Sequence, residues 1–319
     1  MFTFKSNVVK CLSVCVAVSF ILKCIINVWP ISLDSCKCEN YIEPHKSMHN
    51  DVMNRGYYDS LVNSTGKKKL ALIVPFRDRF EELLQFVPHM NKFLSDQNIP
   101  HHIFICNQVD RYRFNRASLI NVGFLFVKDN FDYIAMHDVD LLPSNKDLKY
   151  EYPADGPFHV AAPGLHPKYN YPTFIGGILL IRNDDFNRVN GMSNKYWGWG
   201  LEDDEFYVRL KDAGMKVHRP EGITTGISDT FNHIHDRAHR RRDTIKCFNQ
   251  KDETRKRDTK TGLNTISYKI SDRKELTIDG VKLTVLNVNL DCDKNFTPWC
   301  DCTEAPKEAV KVKAKKGLR

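Results

Sequence analysis

Between residues 70 and 136 short apolar runs alternate with amphipathic stripes about every 30 residues, and this alternation leaves the chain very few architectures. Leu70-Ala71-Leu72-Ile73-Val74 reads as a buried strand. Residues 81–96 carry Leu83, Val87, Met90 and Leu94 on one helical stripe, which Pro88 is expected to kink. Ile103-Phe104-Ile105-Cys106 is a second strand, residues 117–126 a mostly buried helix and residues 131–136 a third strand. This succession predicts an α/β fold with a parallel sheet and right-handed crossovers. No G-x-G-x-x-G follows the first strand, so the dinucleotide fingerprint is absent. Farther on, Ile178-Leu179-Leu180-Ile181 reads as a strand. Residues 204–213 form an amphipathic helix with Phe206, Leu210 and Ala213 inward, stopped at Gly214. Residues 281–290 alternate like a strand.

The 319 residues are 42% hydrophobic and 27% charged, which excludes a disordered, collagenous or polytopic membrane chain. Lys and Arg number 47 against 39 Asp and Glu, a formal net charge of +8. The basic residues gather late and do not interleave with aromatics, so no nucleic-acid partner is expected. The amino end is more specific. Residues 11–22 are uncharged, and the apolar character of residues 8–31 is long enough to cross a hydrocarbon core of about 30 Å. No small-x-small cleavage site follows and Trp29 sits where an interfacial aromatic belongs, so the segment reads as an uncleaved signal-anchor, with a cleaved signal peptide as the alternative. Lys5 and Lys10 put residues 1–7 in the cytosol and the rest in a lumen. Beyond the span come a polar stem (32–67), a globular domain (68–305) and a basic, solvated tail (306–319). Of the ten cysteines, Cys11, Cys15 and Cys24 lie in the span. Cys292, Cys300 and Cys302 crowd together, as disulfide-forming residues do in an oxidising compartment. A zinc site shared with Cys36 and Cys38 is disfavoured by their one-residue spacing. Cys106, in an apolar strand, reads as a buried free thiol. Asn63-Ser64-Thr65 and Asn295-Phe296-Thr297 are glycosylation sequons.

Ligands of open parallel sheets gather beyond the carboxyl ends of the strands. Three groups fall there: Pro75-Phe76-Arg77-Asp78-Arg79, residues 107–116, and His137-Asp138-Val139-Asp140. In an extended chain Asp138 and Asp140 point the same way, and two adjacent carboxylates are costly unless offset. A divalent metal carrying a diphosphate is one reading; an acidic turn is the other. His233-Ile234-His235 repeats the spacing, and neutral imidazoles suit first-row transition metals. One or two carboxylates with two imidazoles suit Mn²⁺ better than Mg²⁺ or Ca²⁺. The same set serves iron oxygenases, although a carboxylate about 90 residues upstream in an α/β sheet speaks against that class. In residues 197–205 four consecutive acids follow two tryptophans and two glycines. The helix dipole accounts for one or two acids; aromatic faces for a sugar, a general base and a mobile lid account for the whole segment. Tyr169, Tyr171 and Gly176-Gly177 read as a binding wall, or as core tyrosines. Arg237, Arg240, Arg241 and Arg242 either contact phosphate or form a solvated face.

Taken in order, Pro75-Phe76-Arg77-Asp78-Arg79, Phe114-Asn115-Arg116, Asp138-Val139-Asp140, Gly176-Gly177 and residues 197–204 resemble the β-1,4-galactosyltransferases. Leu201-Glu202-Asp203-Asp204-Glu205, Gly222-Ile223-Thr224-Thr225-Gly226 and His233-Ile234-His235-Asp236 are most similar to the members of that family that act on xylose. The resemblance implies a GT-A type nucleotide-sugar transferase fold, Rossmann-like, with a mostly parallel central sheet and flanking helices. It implies a single-pass type II Golgi membrane protein. The reaction would be Mn²⁺-dependent inverting transfer of galactose from UDP-galactose to the 4-hydroxyl of xylose on proteoglycan core proteins. Asp140, His233 and His235 would bind the metal and Asp203 would be the general base. UDP-galactose would meet Pro75, Phe76, Arg77, Asp78, Arg79, Phe114, Asn115, Arg116, Val139, Asp140, Tyr169, Trp199, His233, His235 and Arg242. The acceptor would meet Tyr171, Leu201, Glu202, Asp203 and Asp204. Cys292–Cys300 and Cys247–Cys302 would be disulfides. Arg237, where relatives often carry proline, and the basic tail depart from the family pattern. A glucose or GlcNAc acceptor, a non-haem iron oxygenase and a sugar-binding protein without turnover remain as other readings.

Overall fold

The structure, a computed structural model, describes residues 66–235 and 240–305. The expected span, most of the stem, the basic tail, Cys36, Cys38, Arg237 and the Asn63 sequon lie outside the described residues. Among the described residues no helix is long and apolar enough to cross a membrane.

Strand β1 (Leu70–Phe76), helix α1 (Phe80–Asp96), β2 (His101–Gln108), helix α2 (Arg116–Val127) and β3 (Tyr133–His137) follow the predicted alternation, each strand one or two residues longer than its apolar run at one or both ends or shifted by that amount. Next come β4 (Leu141–Pro143), β5 (Phe158–His159), β6 (Ile178–Arg182), α3 (Asn183–Arg188), α4 (Glu202–Asp212), α5 (Ile227–Thr230), β7 (Phe231–His233), α6 (Gln250–Glu253), β8 (Tyr268–Ile278) and β9 (Val281–Leu290). Seven strands form one sheet in the order β5-β6-β3-β1-β2-β9-β8, and β4 pairs with β7 in a small second sheet. β3, β1, β2 and β9 are mutually parallel; β5, β6 and β8 add antiparallel edges.

The apolar runs are continuous because helices cover both faces of the sheet. Successive residues serve opposite sides: Ala71, Ile73, Phe104, Cys106, Ile134 and Met136 pack with Leu119, Ile120 and Val122 of α2. Leu70, Leu72, Val74, Ile103 and Ile105 pack with Leu83, Phe86, Val87 and Met90 of α1. Helix α1 runs on through Pro88. The carbonyl that a proline leaves without a donor is that of the residue four positions back, here Leu84, on the exposed face of the helix. Helix α4 starts two residues earlier than predicted. Leu201 at its N-cap is left-handed (φ 80°), so the turn begins at once and all four acids lie in its first turn.

Both disulfides, Cys247–Cys302 and Cys292–Cys300, are present, each with Cα atoms 5.8 Å apart. Cys106 is a free, fully buried thiol, and burial pushes it up to about 12. Asn295 is exposed on the loop that Cys292–Cys300 closes.

Candidate active site

The carboxyl end of β3 feeds directly into β4, whose pairing with β7 sets Leu141 opposite His233. The next rung is the Ile234 amide donating to the Asp140 carbonyl at 3.0 Å. Two three-residue strands thus carry a carboxylate and two imidazoles to one point. Asp140 Oδ2 lies 3.0 Å from His235 Nδ1 and 3.8 Å from His233 Nε2. One ligand atom from each of the three residues falls within 4.8 Å of the others. The imidazoles are stacked, 5.6 Å between centroids and 9° between planes. Burial acts to raise the Asp140 carboxyl, but His233, His235 and Arg79 outweigh it and bring it down to about 2. Burial lowers His235. Both groups are therefore unprotonated at neutral pH, the state a metal requires. Oxygen and nitrogen donors in this combination fit Mn²⁺.

Asp138, two residues before Asp140, takes a different partner. Its Oδ1 accepts from Arg116 Nε at 2.8 Å. Burial would lower Arg116, yet the carboxylates of Asp138, Glu202 and Asp203 hold it above its ordinary value. Arg116 therefore carries a fixed positive charge between the end of β3 and the first turn of α4.

That first turn divides its four acids. Glu205 is buried and grips Arg209, with both carboxylate oxygens 2.9 Å from Arg209 Nε. Arg209 also donates to the carbonyls of Gly191, Asp258 and Thr261. Glu205 is thus part of the scaffold. Arg209→Met leaves its carboxylate buried and alone, and denaturant unfolding should show a loss of about 3–5 kcal/mol. Glu202, Asp203 and Asp204 face the other way. Tyr171 donates its hydroxyl to Asp204 Oδ1 at 2.9 Å. The Asp203 carboxylate lies over Gly176, where any Cβ would collide with it. Burial, then the charges of Glu202 and Asp204, push Asp203 up to about 8. Burial likewise raises Glu202.

The lip of the site is aromatic. Trp197 is buried in the core, whereas Trp199 is 40% exposed. Gly198 (φ 75°) and Gly200 (φ 105°) let the chain present Trp199 between two left-handed turns. The Arg242 guanidinium lies 5.0 Å from the Trp199 ring and 5.8 Å from the Tyr169 ring, and donates to the Tyr169 hydroxyl at 2.5 Å. Tyr169 in turn packs 5.2 Å from His166, whose ring is 6.5 Å from His233, so the lip is continuous with the Asp–His–His cluster. Leu201 is exposed beside Trp199.

Other expected donor residues occupy the same edge with their polar groups already engaged. Pro75 and Phe76 end β1 and are buried; Val139 is buried below the cluster. Arg77 donates to the carbonyls of Gln108, Asp110 and Tyr112 and lies over Phe114. Asn115 is fully buried and caps α2 through the Ser118 amide. Asp78 is exposed, and Arg79 bridges Glu82 and His235 Nδ1.

Three neighbours of the expected residues were given no role of their own by sequence, although Arg113 falls within residues 107–116. Arg113 clamps the tryptophan loop, bonding Asp243, Gln250, the Trp299 carbonyl and the Ile245 carbonyl; a Cβ at Gly198 would strike its guanidinium. Phe174 packs between Tyr169 and Tyr171. His166 accepts the amides of Lys168 and Tyr169 at Nδ1, both at 3.0 Å. The available signal was proximity: Arg113 precedes Phe114-Asn115-Arg116, and Phe174 lies two residues before Gly176.

A mostly parallel sheet whose carboxyl edge carries an Asp–His–His cluster, facing a carboxylate wall under an aromatic lip, is built as a glycosyltransferase of the metal-assisted kind. A profile described as the N-terminal region of glycosyl transferase group 7 matches residues 26–153, and one described as the N-terminal domain of galactosyltransferase matches residues 156–235. The chain belongs to the β-1,4-galactosyltransferase family. It is 66% identical over 247 residues to Beta-1,4-galactosyltransferase 7 of Drosophila melanogaster, covering 76% of this chain and 77% of that one. It is 47% identical to Xylosylprotein 4-beta-galactosyltransferase of Caenorhabditis elegans, over 85% of this chain and 94% of the relative. A crystal structure of an Asp→Asn variant of the Drosophila β-1,4-galactosyltransferase 7, in complex with manganese, UDP-Gal and xylobiose, superposes with a TM-score of 0.73. That pair shares 66% identity, covering 74% of this chain and all of the other.

Proposed function

We propose that this enzyme moves galactose from UDP-galactose to the 4-hydroxyl of xylose with inversion, assisted by Mn²⁺. The observation that carries the proposal is the Asp140–His233–His235 cluster, in a chain two-thirds identical to an enzyme crystallised with manganese, UDP-Gal and xylobiose. Family membership sets aside the oxygenase reading of the same ligand set. A glucose or GlcNAc acceptor has less support, because the neighbour crystallised with manganese and UDP-Gal holds xylobiose.

Asp140, His233 and His235 hold Mn²⁺, which supplies charge neutralisation for the donor diphosphate. Arg242 and Arg116 add fixed positive charge along the same path, where negative charge grows on the departing UDP. Pro75, Phe76, Val139 and Phe114 form the apolar floor for uridine, with Arg77, Asp78, Arg79 and Asn115 shaping it. Trp199 and Tyr169 bracket the sugars and exclude water that would hydrolyse the donor. Tyr171, Leu201, Glu202 and Asp204 orient the xylose, and Asp203 removes the proton of its 4-hydroxyl. A single displacement at the anomeric carbon inverts its configuration, and no side-chain nucleophile takes part. In the cell the acceptor is xylose on proteoglycan core proteins, and residues 8–31 anchor the enzyme in the Golgi membrane with this domain lumenal.

Incubation of the purified chain with UDP-galactose, Mn²⁺ and an aryl xyloside should release UDP and form a β-1,4-linked disaccharide, seen by mass spectrometry and proton NMR. Folded protein that yields no disaccharide would overturn the proposal.

A further inference from the structure

The acceptor wall hangs on a segment with little support of its own. Residues 167–177 pair with no strand. Their main-chain hydrogen bonds are few: Phe174 amide to Tyr171 carbonyl, Ile178 amide to Gly176 carbonyl and, at the far end, Asp138 amide to Gly177 carbonyl, all at 3.0 Å. Yet this segment delivers Tyr171 to Asp204 and sets Gly176 beneath Asp203. Its outward carbonyls are held from behind by two side chains of another region. Arg219 Nη2 donates to the Pro172 carbonyl at 2.5 Å and lies 3.5 Å from the Phe174 carbonyl. His159 Nε2, fully buried, lies 2.9 Å from the Gly176 carbonyl and donates to it. These two props are themselves tied together. The His159 amide donates to the His218 carbonyl at 2.8 Å, the His218 amide to the Pro157 carbonyl at 2.7 Å, and Phe158 and His218 form a parallel bridge.

From this arrangement we infer that Arg219 is a positioning residue for the acceptor: with His159 it sets the height of the Tyr171–Gly177 segment against Asp203 and Asp204. The inference rests on the galactosyl-transfer reading and deepens it. Three features support it beyond the distances. A carbonyl can be fixed only by a donor, and Arg219 supplies two N–H groups in a rigid plane to two carbonyls two residues apart. Burial, together with the Arg219 charge, brings His159 down to about 3, so its imidazole stays neutral. With Nε2 protonated and donating, His159 cannot switch to a weaker contact as pH changes. Finally, His159 Nδ1 and Arg219 Nε are both buried without a partner. Such atoms cost stability, so this pair is a poor choice for holding the fold together. It is a good choice for fixing the position of a loop.

Arg219→Met removes both donors and the unpartnered Nε while keeping the unbranched stem. It is expected to raise KM for an aryl xyloside about tenfold, equivalent to losing one good hydrogen bond at the acceptor wall. KM for UDP-galactose should stay within about twofold and the melting temperature close to that of the parent enzyme. Arg219→Lys keeps the charge and one donor, and should recover part of the loss. Were the Met variant to fail to fold, the Lys variant alone would decide, with xyloside KM raised about threefold in support. Xyloside KM unchanged in the folded variants would overturn the inference. So would donor and acceptor constants worsening together in step with a falling melting temperature, the mark of a purely structural residue. Absence of galactosyl transfer by the parent enzyme would instead overturn the proposed function.

Discussion

Asp203→Asn is expected to lower kcat by about 10³-fold while leaving Mn²⁺–UDP binding intact. Asparagine keeps the shape that fits over Gly176 but cannot take the acceptor proton. The pH dependence gives a second signature. Asp203 is raised from 3.8 to about 8 by burial and by Glu202 and Asp204. Only its deprotonated form is a base, so kcat/KM of the parent enzyme should climb along a limb near that value. Stability runs the other way. Between 3.8 and about 8 the folded protein keeps a proton that the unfolded chain has released, so folding stability falls as pH rises across that window. The asparagine variant should lose this component of the slope. Turnover retained in the folded variant, followed as UDP release with a xyloside, would remove Asp203 from its assigned role.

Substitution in the Asp140–His233–His235 cluster should have the next largest effect. His235→Ala or Asp140→Ala is predicted to reduce turnover by at least about 100-fold at micromolar Mn²⁺. Chelation should abolish activity of the parent enzyme, and added Mn²⁺ should restore it. Asp140 lies at about 2 and His235 is lowered, so neither needs to shed a proton near neutrality. The Mn²⁺ requirement should therefore change little between pH 6.5 and 8, while acidification that protonates His235 should weaken Mn²⁺ binding and raise the concentration required. Rates measured over a Mn²⁺ titration at each pH test this. Activity of the alanine variants equal to the parent would show that the cation sits elsewhere.

The parts of this molecule that sequence reading reached are those whose physics is local. β1, β2 and β3 were legible because helices cover both faces of the sheet and force unbroken apolar runs. β8 was not: Lys269, Asp272, Arg273, Lys274 and Glu275 line a half-exposed edge, where charge is expected and apolar periodicity is weak. β4 and β7, three residues each, are too short to carry a period, yet they assemble the Asp–His–His cluster. The spacing of His233 and His235 was visible; their meeting with Asp140 depends on a pairing across some 90 residues that no local pattern encodes. Motif resemblance located the neighbourhood of Arg77 and Asn115 without indicating that backbone groups occupy both side chains. The clamping role of Arg113, within residues 107–116, was not legible for the converse reason, since its partner Asp243 is 130 residues away. Among the four acids of α4, residue type and spacing do not tell Glu205, which is tied to Arg209, from its three neighbours at the site; only the family resemblance left it out of the acceptor set.

Metal-assisted transfer at this site requires two imidazoles and one carboxylate to grip the same cation. Pulsed electron paramagnetic resonance of the Mn²⁺-loaded full chain with UDP reads the nitrogens bound to the metal. Hyperfine coupling to two imidazole nitrogens is expected, reduced to one in His233→Ala; a spectrum from the parent protein with no nitrogen coupling would place the cation elsewhere.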